Sequence, residues 1–556
     1  MNVLRTASSS RLIPTRGIIT RSFCSSSTLR SIQIGNILDT LSSRSLLAQV
    51  TAPNSLKKHL DGKEQRSIYV GVDPSADSLH VGNLLPLLAT LHFVQHGHRV
   101  VVVIGGATGS IGDPSGRSTE RSALTPSELN HNVERITKQV QEFFESAKKV
   151  VGEQVLKSLA TSGHVDRADQ DGNESRTPTQ EVAEISDINA SQIASEMVMD
   201  ESSAAPGWQP FSGVDDRSEP SFDVTVVNNQ EWYNNMNVLA FLRDVGKFAR
   251  VGTMLARDSV KSRMQPSESD STSQAPVGLS FTEFSYQLLQ AYDFSVLHGA
   301  PWHCTVQLGG SDQMGNIMAG VDLIRRQKVV QEKAKEEEED SDDTPAYGIT
   351  LPLLTTASGA KFGKSAGNAV WLSQDKCSDY DFYQFFYRSR DDEVELYLKT
   401  LTMLPIEMIE SIIRAHKEDP SSRRAQKILA TQVTELVRGR RAVKRAESAT
   451  KVLFETDLLG LEAEDVLDAF KTDPRLQRLE SEKCIGMDVK ALAVEIGLTK
   501  TKSEAKRFIA SGGFYINNVP LKDVNQTVQM QDLICNGKIV VLRIGKTGHR
   551  IIQVLQ

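Results

Sequence analysis

Cysteine is scarce in this chain of 556 residues, and the five present, Cys24, Cys304, Cys377, Cys484 and Cys535, lie far apart with no CxxC pair. That excludes a disulfide scaffold and a compact zinc knuckle and leaves buried free thiols. Long apolar runs are missing too. No stretch approaches the roughly 18 consecutive apolar residues that cross a bilayer, so no membrane partner is expected. Positive charge is not in excess overall. A net charge of -7 does not suggest a nucleic-acid partner for the whole chain, yet residues 483–550 hold eleven Lys or Arg against five Asp or Glu. RNA binding by that part stays open.

Acidic residues are absent before Asp39, where Arg5, Arg11, Arg16, Arg21 and Arg30 are interleaved with serines, Leu and Ile. A secretory signal needs a continuous apolar centre, which MNVLRTASSSRLIPTRGIITRSF does not have. Residues 1–34 therefore read as a mitochondrial targeting segment with the matrix as destination. A disordered tail is the alternative, and plastid import shares the serine richness. Arg21, Ser22 and Phe23 are similar to a matrix-protease cleavage site.

The length suggests about three or four domains. Residues 67–72 and 99–104 are short, β-branched, continuously apolar runs, as expected of strands covered on both faces of a parallel sheet. A helix is expected between them, over 79–96. Strand, glycine-bearing turn, helix, strand is the first half of a nucleotide-binding α/β fold. Further strands are expected at 223–227, 305–308 and 349–354. Three polar tracts, near 164–213, 265–278 and 332–343, read as disordered insertions. After Asp379 the pattern is helical. Ile428, Leu429, Val433, Leu436 and Val437 give one stretch an apolar face opposite a basic one, and simple solvation of that basic face is the alternative to RNA contact. From about 481 the chain reads as a small α+β module.

Five motifs carry chemistry. In YVGVDPSADSLHVGN, residues 69–83, a strand end meets a helix N-terminus, where backbone N–H groups and the helix dipole favour phosphate. Gly71 and Gly82 let a nucleotide approach the backbone, and His80 can donate to a phosphoryl oxygen. GGATGSIGDPSGRSTER, residues 105–121, is a glycine-rich turn. FTEFSYQLLQAYDF, residues 281–294, spaces Tyr286, Gln290 and Asp293 by four and three, hence on one helix face; a partly buried amphipathic helix explains this equally well. VQLGGSDQMGN, residues 306–316, is a strand and turn before a helix. KFGKS, residues 361–365, supplies Lys361 and Lys364.

The first string resembles the first signature of class I aminoacyl-tRNA synthetases, and its Tyr, Gly, Asp and Pro spacing resembles the tyrosine-specific branch. The other four motifs resemble that branch in order, over about residues 35 to 556 apart from the insertions. Asn83 stands where the signature usually ends in His, and Arg117 where many relatives have Lys. The resemblance implies a Rossmann-like parallel-sheet catalytic domain (35–374), a helical anticodon-binding domain (375–480) and a ribosomal-S-four-like RNA-binding domain (481–556), in a homodimer. It implies that Tyr69 and Asp293 bind the phenolic hydroxyl of L-tyrosine. Tyr286, Gln290 and Asp113 would hold the ammonium group, with Asp73, Gln307 and Gln313 lining the pocket. ATP would lie on Gly71, Asp73, Ser75, His80, Gly82, Asn83, Asp312, Lys361 and Lys364, with Mg²⁺ accompanying it and no dedicated protein cage. Charge on the departing pyrophosphate would fall to His80, Asn83, Arg117, Arg121, Lys361, Lys364 and Ser365. The implied activity is ATP-dependent ligation of tyrosine to tRNA(Tyr). A tryptophan-specific relative, an RNA-binding protein assisting group I intron RNA and a noncatalytic paralogue are the alternatives.

Overall fold

Six strands form the first sheet: β1 (Gln49–Val50), β2 (Ser67–Val72), β3 (Arg99–Ile104), β4 (Val224–Asn228), β5 (Cys304–Gly310) and β6 (Tyr347–Leu351). They lie in the order β1-β6-β5-β2-β3-β4, all parallel except the short antiparallel edge β1. The computed structural model describes residues 35–62, 64–115, 124–165, 222–257, 260–261, 264, 279–334, 345–353, 369–471 and 473–555. The expected import segment and nearly all of the three expected insertions lie outside the described residues.

From β2 the chain winds outward to β3 and β4, and from β5 it winds the other way to β6. The direction reverses between β2 and β5, and in such sheets ligands bind in the crevice at the carboxyl ends of the two strands flanking the reversal. β6 stops at Leu351 because Pro352 has no N–H for the ladder, three residues short of the expected end.

The helix Val81–Gln95 is buried on nearly every side, with Leu84, Leu85, Leu87, Leu88, Leu91 and Phe93 all covered. One face lies on the sheet, and the helices Ile37–Ser43 and Val394–Leu401 cover others. The sheet and the helices Asp379–Tyr387, Val394–Leu401, Ile406–Glu418 and Arg424–Arg438 therefore share one apolar core. The boundary expected at 374–375 divides the chain by pattern but not by core. Arg44, buried, ties the same regions by donating to the carbonyls of Thr402 at 3.1 Å and Leu404 at 2.6 Å.

A second sheet has the order β7-β11-β10-β8-β9, from β7 (Leu476–Glu480), β8 (Phe514–Ile516), β9 (Val519–Pro520), β10 (Ile539–Ile544) and β11 (Gly548–Leu555). Alternate residues of β10 and β11 serve two cores. Val540, Leu542, Ile552 and Val554 face the helices Val489–Glu495 and Lys502–Ala510, while Ile539, Val541 and Ile551 pack on Ala449, Val452, Leu453 and Phe470. Because β7 pairs in parallel with β11, this sheet begins upstream of residue 481. No helix among the described residues is long and apolar enough to cross a membrane.

Two histidines under the first sheet set an acid limit. His59 Nε2 meets Thr305 Oγ1 at 2.8 Å, and His98 Nδ1 accepts from the Arg66 N–H at 3.3 Å. Burial, reinforced by nearby Arg66, pushes both from about 6.5 down to about 4. Between those values the unfolded chain takes up protons that the folded state refuses, so stability is complete above pH 6.5 and falls as pH drops toward 4. Thermal midpoints across pH 7 to 4 should show this fall, and a His59→Asn, His98→Asn double variant should show a shallower one.

Candidate active site

β2 turns Tyr69 and Gly71 to the face opposite Ile68 and Val70. Tyr69 is in register with Gln307 of β5, so both side chains enter the space under the helix Phe281–His298. That helix begins at a Ser280 cap and presents Tyr286, Gln290 and Asp293 along one side. Its partner helix, Met314–Ala334, packs closely because Gly320 has no side chain; a Cβ there would lie 2.8 Å from the Phe294 ring.

At one end of this space Asp293, 6% exposed, accepts from Trp232 Nε1 at 2.8 Å and Asn229 Nδ2 at 3.2 Å. Burial raises its carboxyl to about 7, against the pull of hydrogen bonds from Trp232, Asn229 and Tyr233, with Asp73 adding a smaller push upward. Tyr69 is 2% exposed, and its hydroxyl has no hydrogen-bond partner. Burial, with Asp293 nearby, holds that phenol far above its ordinary range. The Oε1 atom of Gln307 is also buried and unpartnered. Orphaned polar atoms in a buried space cost free energy unless something answers them, so this is a recess built for polar groups of a ligand.

Further along, Tyr286 donates to Asp73 Oδ1 at 3.4 Å, and Gln313 Nε2 donates to Asp113 Oδ2 at 2.7 Å. The Ser115 N–H donates to Asp113 Oδ1 at 2.9 Å. Asn316 Nδ2 donates to Gln290 Oε1 at 2.9 Å and to Ser115 Oγ at 3.2 Å. The structure thus brings Asp113, Gln290 and Gln313 into one network and sets Tyr286 on Asp73. Carboxylates of Asp73, Asp113 and Asp293 along one cleft favour a cationic group.

At the mouth of the crevice, a Cβ on Gly71 would meet nothing within 4 Å, whereas one on Gly105 would strike Thr108 Oγ1 at 2.6 Å and crowd Asp73 Oδ1 at 3.1 Å. Gly71 opens the site and Gly105 permits the tight turn beneath it. Ser75 donates its N–H to the Asp73 carbonyl at 2.9 Å, and Asp312 lies in the short turn Ser311–Gln313 after β5, folded back over Gly310. The helix expected from 79 starts at Val81 because His80 caps it. His80 Nδ1 accepts from the Gly82 N–H at 3.0 Å, and Asn83 Oδ1 accepts from the His80 N–H at 3.1 Å. This reciprocal cap leaves the His80 ring proton on Nε2 and the Asn83 amide as a donor end. Asparagine therefore has a structural reason to stand where the signature usually has His. Arg117, Arg121, Lys361, Lys364 and Ser365 lie outside the described residues.

Three contributors were absent from the sequence reading. Asn229 and Trp232 follow β4 in no motif, and only their approach to Asp293 gives them meaning; Asn229 Oδ1 also accepts from the Ala107 N–H at 2.8 Å, tying the glycine-rich turn to the same carboxylate. Asn316 ends a quoted motif, but nothing in its spacing marks it as the hub of the polar network.

A parallel sheet with polar residues converging at its reversal point, and a histidine-capped helix beside them, is the catalytic architecture of class I tRNA synthetases. The family model for tRNA synthetases class I (W and Y) matches residues 61–455, and that for the tyrosine-tRNA ligase SYY-like C-terminal domain matches residues 465–552. The chain is 36% identical to a tyrosine-tRNA ligase of Roseiflexus castenholzii, over 93% of this chain and 99% of that one. It is 34% identical to the mitochondrial tyrosine-tRNA ligase of Drosophila melanogaster, over 89% of each. A C-terminally truncated mitochondrial tyrosyl-tRNA synthetase of Aspergillus nidulans superposes with a TM-score of 0.56 at 31% identity, covering 75% of this chain and 94% of that one. The chain belongs to the tyrosyl-tRNA synthetase family and is a tyrosine-tRNA ligase, with ATP as a substrate.

Proposed function

We propose that L-tyrosine lies with its phenol between Tyr69 and Asp293 and its ammonium among Asp73, Asp113, Tyr286, Gln290 and Gln313. The unpartnered Tyr69 hydroxyl beside the buried Asp293 carboxylate carries this reading. Gln307 supplies its orphaned oxygen to the same ligand. The tyrosine carboxylate, already ionised near neutral pH, attacks the ATP α-phosphorus without a general base, giving tyrosyl-adenylate and pyrophosphate. Gly71, Ser75, Gly82 and Asp312 place the nucleotide. His80 and Asn83 donate to the phosphates, with Arg117, Arg121, Lys361, Lys364 and Ser365 sharing the departing charge. The terminal ribose hydroxyl of tRNA(Tyr) then attacks the tyrosyl carbonyl, breaking the mixed anhydride and releasing AMP.

Mg²⁺ would arrive on the ATP phosphates and neutralise part of their charge; among the described residues no group of three or more His, Cys, Asp or Glu forms a cage for it. A homodimer is supported by exposed apolar side chains at Val238, Leu239, Leu242, Val251, Leu255 and Phe281, beside the pocket helix. The matrix is the proposed compartment, on the arginine-rich, acid-free start of the chain. Group I intron RNA remains a partner to be tested separately. The domain roles carry over likewise: catalysis in the first sheet, anticodon recognition by the helices and RNA binding by the last module.

Tyrosine-dependent ATP–pyrophosphate exchange by residues 35–556, with phenylalanine and tryptophan as controls, tests the reading. Robust exchange with tyrosine alone is expected, phenylalanine being activated only slowly, and robust exchange with tryptophan or exchange with none of the three would refute it. The pH profile adds a second check. Protonation of Asp293 removes the charged acceptor for the phenol, so the KM for tyrosine should rise as pH falls through about 7 and level off above it.

A further inference from the structure

Arg438 ends the helix Arg424–Arg438, in the region read as anticodon-binding, yet its guanidinium grips the catalytic domain. Its side chain is 2% exposed. Nε donates to the Leu372 carbonyl at 3.2 Å, and one terminal nitrogen donates to the carbonyls of Trp371 at 3.1 Å and Ser373 at 3.4 Å. The other donates to Asp379 Oδ1 at 2.9 Å, and the plane lies over the Phe382 ring at 4.2 Å. A planar fork with five donors can hold three successive carbonyls and a carboxylate at once, which an ammonium cannot.

The segment so held runs antiparallel to the turn carrying His80. Val81 donates its N–H to the Val370 carbonyl at 2.9 Å, Leu372 donates to the Leu79 carbonyl at 2.8 Å, and His80 and Trp371 form the bridge between them. The Trp371 ring stands edge-on to the His80 imidazole, with centroids 6.2 Å apart. Ser373 N–H reaches Ser78 Oγ at 3.3 Å. Arg438 thus holds a strap whose other edge is the backbone of His80, while the tyrosine recess is built from β2, β5 and a different helix.

We propose that Arg438 is a positioning residue for tyrosyl-adenylate formation, acting through the strap 370–373 to place His80 against the ATP phosphates. The inference rests on the phosphate role given to His80 above. Loss of the clamp shifts His80 and slows the chemical step without loosening tyrosine. Asp379 keeps Arg445 as a partner, at 2.7 Å to Nε, so removing Arg438 does not strand a buried carboxylate.

The experiment is single-turnover adenylate formation at saturating ATP and tyrosine, with tyrosine Kd and thermal midpoint measured alongside, on Arg438→Met, Arg438→Lys, His80→Ala and the double variant His80→Ala with Arg438→Met. Arg438→Met should slow the step about tenfold or more at unchanged tyrosine Kd, with Arg438→Lys in between because it restores charge but not the fork. The double variant should be no slower than His80→Ala alone. If Arg438→Met does not fold, Arg438→Lys carries the same comparison. Unchanged rates in folded Arg438 variants beside a slow His80→Ala, additive losses in the double variant, or parallel loss of rate and tyrosine affinity would overturn the inference alone. A wild-type rate in His80→Ala would overturn the role of His80, and this inference with it.

Discussion

Asp293→Asn should lower kcat/KM for tyrosine by roughly a hundredfold or more, since a hydrogen bond to a buried charged acceptor is worth about 3 kcal/mol. The substitution also disturbs the donors already placed there. Trp232 Nε1 and Asn229 Nδ2 both point at carboxylate oxygens, and an amide offers only one acceptor atom in their place. Phenylalanine has no hydroxyl to lose, so its slow activation should hardly change and specificity should shrink by the same factor. Tyr69→Phe should act in the same direction more mildly, because it removes one neutral partner and relieves an orphaned hydroxyl. Pyrophosphate exchange with both amino acids reads these ratios directly. Equal losses for tyrosine and phenylalanine would show that Asp293 holds the fold of the pocket and not the phenol. The pH dependence of the tyrosine KM should disappear in Asp293→Asn, since the titrating group is gone.

Removing the C-terminal module should abolish most tRNA charging while sparing adenylate formation, and the place of the cut decides whether the experiment is clean. A chain ending near 480 would keep β7 without the strand it pairs with and bare the Phe470 side of the helical core. A chain ending at Glu455 leaves the first sheet and its shared core intact. It does lose three caps, because Asn518 Nδ2 donates to the carbonyls of Val452 at 2.9 Å and Glu455 at 2.8 Å, and His549 Nε2 meets the Leu453 carbonyl at 2.8 Å. A lower thermal midpoint is therefore expected together with near wild-type exchange. Charging of tRNA(Tyr) should fall by roughly a hundredfold or more, with a weaker salt dependence, as phosphate contacts from a basic module are lost. Parallel loss of both activities would argue that the module supports the catalytic domain.

The positioning of Arg438 connects these two experiments. Helices that the resemblance assigns to tRNA share a core with the first sheet, and one arginine from them holds the strap beside His80.

Local periodicity was enough to place the elements that carry the site. Continuous β-branched runs made β2 and β3, strands buried on both faces, readable from composition alone, and the four-and-three spacing of Tyr286, Gln290 and Asp293 put them on one side of a helix before any neighbour was known. The cap made by His80 and Asn83 was not read, and the helix expected from 79 starts at Val81 because those two side chains fold back onto its first turn. Partners distant in sequence were not legible. Asn229 and Trp232 meet Asp293 across 64 and 61 positions, and Arg438 meets Trp371 across 67. β7 reads as part of the helical region until its pairing with β11, more than 70 residues on, places it in the second sheet. Side-chain pattern reports which face of an element is apolar, because that depends on its own residues. It does not report which other element covers that face, and it is this covering that orients a carboxylate toward a phenol, merges two apparent domains into one core and sets a distant arginine behind His80.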